Sequence, residues 1–117
     1  MREILFRGKN PITNEFVIGD LFQHGEQCFI MVLNRNIEVP PETVGQYTGL
    51  CDKNGKKIFE GDIIKISNGE IYTVVFEAGG FATGIFSSGF FLGEWDMNHV
   101  EVIGNIYDDP ELMKTAS

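Results

Sequence analysis

Cysteine, histidine, tryptophan and positive charge are scarce in this 117-residue sequence, and no long apolar run occurs. Two cysteines, Cys28 and Cys51, lie far apart in a sequence without an export signal, which favours free thiols over a disulfide. Cys28 opens the run Cys28-Phe29-Ile30-Met31-Val32-Leu33, where a thiol behaves as a small core hydrophobe. No segment approaches the roughly 20 apolar residues that cross a bilayer, so no membrane association is expected. The start, Met1-Arg2-Glu3-Ile4-Leu5-Phe6-Arg7, is too charged for a secretory signal, and a cytoplasmic location is expected. His24 and His99 have no partner at metal-ligand spacing. Both read as surface histidines, and neither a metal nor a cofactor is expected.

Charge is short on one side only. Nine Lys and Arg stand against 17 Asp and Glu, a net charge of −8. Residues 67–117 hold one lysine and eight acids, which carries most of that excess. The basic residues that cluster are Lys53, Lys56, Lys57 and Lys65. Phosphate-driven DNA binding needs a basic face, so this field suits a basic protein partner better than a polyanion. Hydrophobic residues at 43% and charged residues at 22% are ordinary globular usage, which rules out disorder.

Fourteen glycines punctuate short apolar segments, which favours many short strands over long helices. Expected strands are Arg2–Arg7, Phe16–Phe22 and Gln27–Leu33, the last buried on both faces because its apolar run is unbroken. Pro40-Pro41 then ends one pairing and starts another. Asn54-Gly55 and Asn68-Gly69 are hairpin turns, since both residues tolerate positive φ. They separate Leu50–Cys51 from Ile58–Phe59, and Asp62–Ile66 from Ile71–Glu77. Phe81–Phe86, Phe90–Leu92 and Val100–Ile106 follow. Asp109 with Pro110 reads as the cap of a short C-terminal helix over 110–114.

The expected fold is therefore mainly β. A small N-terminal β subdomain, 1–48, precedes an SH3-like β-barrel, 49–117, with one continuous domain as the alternative. The barrel follows from short strands joined by tight turns, which hide their edges by closing.

Motifs for chemistry fail on spacing. Asp52-Lys53-Asn54-Gly55-Lys56 opens like a calcium loop, yet Lys57 stands at the bend-glycine position and Ile63 at the bidentate-Glu position. Gly55-Lys56-Lys57 lacks the frame of a phosphate loop, and Gly79-Gly80-Phe81-Ala82-Thr83-Gly84 lacks that of a dinucleotide fingerprint. Glu94 and Asp96 beside Trp95, and Ser87-Ser88 in a turn, show no positioned partner. No enzyme is expected.

Aromatic residues are more telling. Phe81, Phe86, Phe90, Phe91 and Trp95 fall within 15 positions. Phe90 and Phe91 are adjacent, so on a strand they point to opposite faces. That makes Phe81, Phe90, Phe91 and Trp95 candidate partner-binding residues. Lys53, Lys56, Lys57 and Lys65, beside Tyr47 or Phe59, are the alternative nucleic-acid-binding set.

The block Val44-Gly45-Gln46-Tyr47-Thr48-Gly49-Leu50, continued by Asp52-Lys53-Asn54-Gly55-Lys56-Lys57-Ile58-Phe59-Glu60-Gly61-Asp62-Ile63, resembles the signature of the YopX family of phage and prophage proteins. Arg2-Glu3-Ile4-Leu5-Phe6-Arg7-Gly8, Glu101-Val102-Ile103-Gly104-Asn105-Ile106-Tyr107 and Pro110-Glu111-Leu112 agree with it, while Cys51 stands where a polar residue is expected. The resemblance implies a mostly β protein with an SH3-type barrel in its C-terminal part, encoded by a phage or prophage. It implies no activity and no catalytic or ligand residues. A non-enzymatic binding module in the host cytoplasm, joining a protein partner or a second copy, is the expected function; a nucleic-acid-associated regulator is the alternative.

Overall fold

The structure, a computed structural model, describes residues 4–77, 80–83 and 96–112, with side chains for 4–75 and 96–112. It is mainly β. Among the described residues the strands are β1 (Phe6–Lys9), β2 (Phe16–His24), β3 (Gln27–Val32), β4 (Arg35–Val39), β5 (Gly45–Cys51), β6 (Lys57–Phe59), β7 (Asp62–Ile66), β8 (Ile71–Glu77), β9 (Gly80–Thr83) and β10 (Val100–Asn105). They form two antiparallel sheets, ordered β4-β3-β2-β1-β5-β6 and β10-β7-β8-β9. The chain divides into two compact units, residues 1–47 and 48–117. No helix among the described residues is long and apolar enough to cross a membrane.

In the first unit β2 serves two partners. Its first residues pair with β1, from Lys9↔Phe16 to Phe6↔Gly19. Its later residues pair with β3, from Asp20↔Met31 to His24↔Gln27. Gly19 sits at the changeover, where a Cβ would stand 2.2 Å from the Met31 carbonyl oxygen. Only glycine lets the two backbones approach that closely.

Cys28, Ile30 and Val39 are buried on one face of this sheet, ringed by Phe6, Val17, Leu21, Val32, Ile37 and Val44. Val39 on β4 lies over Gly8 on β1, where a Cβ would stand 2.6 Å from Val39 Cγ2. These strands are not neighbours in the sheet, so the sheet coils until they meet. Pro40-Pro41 breaks the chain as expected and leads into a 3-10 turn, Pro41–Thr43. Thr43 Oγ1 accepts the Lys9 amide at 3.0 Å and donates to the Pro40 carbonyl at 2.7 Å.

Two expectations for this unit need correction. The run Gln27–Leu33 is buried on one face only: Cys28 and Ile30 point into the core, while Met31 is exposed. β4 has no counterpart among the expected strands, because Leu33-Asn34 carries no glycine or proline signal, yet it is the turn of a tight hairpin with Val32↔Arg35 closing it.

In the second unit both Asn-Gly turns form as expected, with Gly55 at φ +82° and Gly69 at φ +94°. Ile58, Ile64, Val74 and Val100 are fully buried and make the core, with Leu50, Ile66, Tyr72, Met97 and Val102 around them. A 3-10 turn, Met97–His99, precedes β10, and Asp96 caps it by accepting the Asn98 amide at 3.0 Å. β10 pairs with β7 through a bulge between Val102 and Gly104.

The expected closed barrel is not formed among the described residues. The sheet is open, with β10 and β9 as its edges, because four-residue β9 pairs with β8 and no described strand joins it to β10. The expected strand Phe90–Leu92 lies outside the described residues. The expected C-terminal helix is not shown either. Asp109 Oδ2 turns back to accept the Asn105 amide at 3.3 Å, and of the described residues in 110–114 only Glu111 and Leu112 are helical.

Candidate functional site

The most distinctive sequence block is spent on structure. Asp52 is 6% exposed, and its Oδ1 accepts the amides of Asn54 and Lys56 at 2.9 Å, closing the hairpin turn. Its Oδ2 accepts the Val102 amide of β10, also at 2.9 Å. Burial pushes the carboxyl upward, but the Val102, Lys56 and Asn54 amides and the Lys56 charge outweigh it and hold it below its ordinary value. Asp62, also buried, accepts the Phe59 amide at 2.8 Å. Gly61 has φ +94° and lies under the Tyr107 ring, and the Ile106 amide donates to its carbonyl at 2.9 Å. The central and closing stretches thus meet as one structural cluster.

The four lysines separate. Lys53 and Lys65 line one depression of about 190 Å³ with Ile66, Ser67, His99 and Glu101. Lys53 Nζ lies 3.7 Å from Glu101 Oε1, and Lys65 faces Glu101 across the β7–β10 pair. Glu101 therefore pairs with Lys53 and stands opposite Lys65 in the register. Tyr47 and Phe59, the rings expected to stack on bases, are both buried. The nucleic-acid reading loses its stacking platform.

Ser67, His99 and Asp96 form a line that sequence spacing did not reveal. Ser67 Oγ is 2.8 Å from His99 Nδ1, and His99 Nε2 is 3.6 Å from Asp96 Oδ2. The His99 and Asp96 side chains are 63% and 60% exposed, so water competes for both contacts. Asp96 is already occupied as the cap of the 3-10 turn. The arrangement secures that turn and lacks the dry, preorganised surroundings of a nucleophilic site.

Of the candidate aromatics, Phe81 lies on β9, described by its backbone alone. Phe90, Phe91 and Trp95 lie outside the described residues.

The apolar surface that is described lies instead on the first unit. Strand alternation with the registers Phe22↔Phe29 and Asp20↔Met31 puts Ile18, Asp20 and Phe22 of β2 beside Phe29 and Met31 of β3. This is the face opposite the core. Ile18, Phe22 and Met31 are 44%, 45% and 39% exposed. Phe22 and Phe29 pack ring to ring, centroids 6.0 Å apart. Glu38, opposite Phe29 on β4, accepts from Gln27 Nε2 at 3.1 Å at the rim. The cations of this face are drawn in: Arg7 and Lys9 are buried, their charged ends 4.0 and 4.6 Å from the centroid of the Phe16 ring. What reaches solvent is an apolar patch with carboxylates, Asp20 and Glu38, as its exposed charges. Its signal lies in the unbroken apolar run of Gln27–Leu33, which by sequence reads as burial on both faces rather than as a surface.

Comparison with known proteins agrees with this architecture. No curated protein matches the sequence. The crystal structure of protein EF1440 from Enterococcus faecalis is similar, with a TM-score of 0.65 and 23% identity, covering 97% of this chain and 99% of that one. At that identity the likeness is one of fold. The family described as YopX protein matches residues 5–114, nearly the whole chain, and the chain belongs to the YopX family.

Proposed function

We propose that this protein is a non-enzymatic binding module whose first unit takes a basic, apolar-sided segment of a partner protein on its outer sheet face. The observation that carries the reading is the patch of Ile18, Phe22, Phe29 and Met31, bordered by Asp20 and Glu38. Apolar contact area supplies the attraction, and acidic neighbours select the sign of the partner's charge. The net charge of −8 acts in the same direction at longer range. A second copy would bring the same carboxylates together, so self-association ranks below a basic partner.

The family resemblance supports a phage or prophage origin, and with it work in the host cytoplasm. The family resemblance also implies an SH3-type topology for the second unit, whose described sheet is open. Nucleic-acid binding through Lys53, Lys56, Lys57 and Lys65 is the weaker alternative, since Glu101 pairs with Lys53 and the rings of Tyr47 and Phe59 are buried.

Titration calorimetry with a peptide of alternating lysine and leucine tests the reading. Binding is expected, with none to an alternating glutamate–leucine peptide. The charge-neutral substitutions Phe22→Ser and Met31→Ser should each weaken it about tenfold, the usual cost of losing one buried apolar anchor. Equal binding of both peptides, or indifference to both substitutions, rejects this surface. Salt-dependent affinity for an oligonucleotide that falls with Lys53→Glu would favour the alternative.

A further inference from the structure

Leu33 combines two features that a residue at a hairpin tip rarely has. It is an aliphatic side chain 91% exposed to water, and its backbone stands at φ +56°. In a two-residue hairpin loop, glycine, asparagine or aspartate takes positive φ at little cost, whereas a branched aliphatic residue strains it. The neighbouring Asn34 shows that the loop admits a polar residue. Among the described residues, the Leu33 side chain is not one of those that pack on the Cys28–Ile30–Val39 core. An exposed apolar group held in an unfavourable backbone conformation has its reason outside the fold.

Its position says where that reason lies. The β2–β3 register pairs Phe22 with Phe29 and Asp20 with Met31. Leu33 lies two residues past Met31, in the turn just beyond the Asp20↔Met31 end of that ladder. The tip therefore extends the apolar patch beyond the last ladder pair.

We infer that Leu33 is the anchor of the partner-binding surface: a projecting apolar contact that the basic partner segment covers, retained at the expense of hairpin stability. This rests on the reading of the outer face as the binding surface and names the residue that dominates it. A side chain that becomes fully desolvated, ringed by contacts that exclude water, carries a large share of the binding energy.

The inference makes stability and binding move in opposite directions. Leu33→Gly and Leu33→Asn both relieve the backbone, so each is expected to raise Tm by about 3 °C. Each should weaken binding of the lysine–leucine peptide at least tenfold. Met31→Ser, in contrast, should weaken binding without raising Tm. If the wild-type protein binds the peptide and Met31→Ser weakens it, but Leu33→Gly does not, the surface stands and the anchor is rejected. If Leu33→Gly and Leu33→Asn both lower Tm, the side chain supports the fold and the inference fails. If neither the wild-type protein nor any variant binds, the reading of the surface fails with it. Sedimentation velocity covers the remaining occupant: a wild-type dimer that Leu33→Gly dissociates would assign the tip to a second copy and overturn the basic partner.

Discussion

Asp52 Oδ2 accepts the backbone amide of Val102 at 2.9 Å, joining positions fifty residues apart. The other oxygen of the same carboxylate holds the amides of Asn54 and Lys56. One side chain thus closes a hairpin turn and fixes β10 to it. A carboxylate suits this better than an amide, because it presents only acceptors to three donors.

Removing that carboxylate should cost stability out of proportion to its size. Asp52→Ala leaves three amides without their acceptor and is expected to lower the unfolding free energy by about 3 kcal/mol. Asp52→Asn retains one acceptor oxygen but turns a donor toward an amide, and should cost about 2 kcal/mol. Urea unfolding with an unchanged m-value measures both. A loss below 0.5 kcal/mol, on the order of an ordinary surface substitution, would contradict the role.

Acid should expose the same group. The Asp52 carboxyl sits below its ordinary value of 3.8, so the folded state favours its ionised form. Its contribution is complete above pH 3.8 and is lost as pH falls through the lower folded-state value. Wild-type stability should therefore fall more steeply below pH 3.8 than that of Asp52→Asn. Unfolding curves at intervals from pH 5 downward make the comparison, and parallel curves would argue against the linkage.

The contact between Gly8 and Val39 predicts a non-additive pair. Gly8→Ala drives a methyl into Val39 and should cost about 2 kcal/mol. Val39→Ala leaves a cavity in the same place and costs a similar amount. Together the two should cost less than their sum, since each relieves the other. Gly19→Ala has no such remedy, because the obstacle is the Met31 backbone carbonyl. Circular dichroism should find this variant largely unfolded.

Tyr72 should ionise above the ordinary tyrosine value. Its hydroxyl donates to Glu70 Oε2 at 2.9 Å. That bond, reinforced by partial burial and the Glu70 charge, raises the phenol above its ordinary 10.0. Ultraviolet titration of Glu70→Gln should move one phenolate transition back toward 10.0. Titration curves that coincide with wild type would remove Glu70 as the cause.

How much could be read in advance depended on how local the cause was. The Asn54-Gly55 and Asn68-Gly69 hairpins and the Pro40-Pro41 break were legible, because positive φ and a missing N–H are properties of one or two residues. Arg35–Val39 was not, since its turn, Leu33-Asn34, uses a residue that turn chemistry disfavours. The candidate surface was legible only as an apolar run from Phe29 to Leu33. Whether such a run faces a core or water depends on what lies opposite, and alternation alone cannot decide that.

The sequence by itself determined the mainly β class, the tight turns, the acidic field and the family, through short-range backbone preferences and residue identity. Tertiary structure decided which glycines allow strands to touch, that Asp52 reaches Val102, and that Glu101 pairs with Lys53. It also decided that Phe22 and Met31 face water. Each of these depends on distant segments meeting, and register and coiling, set by packing across the whole sheet, bring them together.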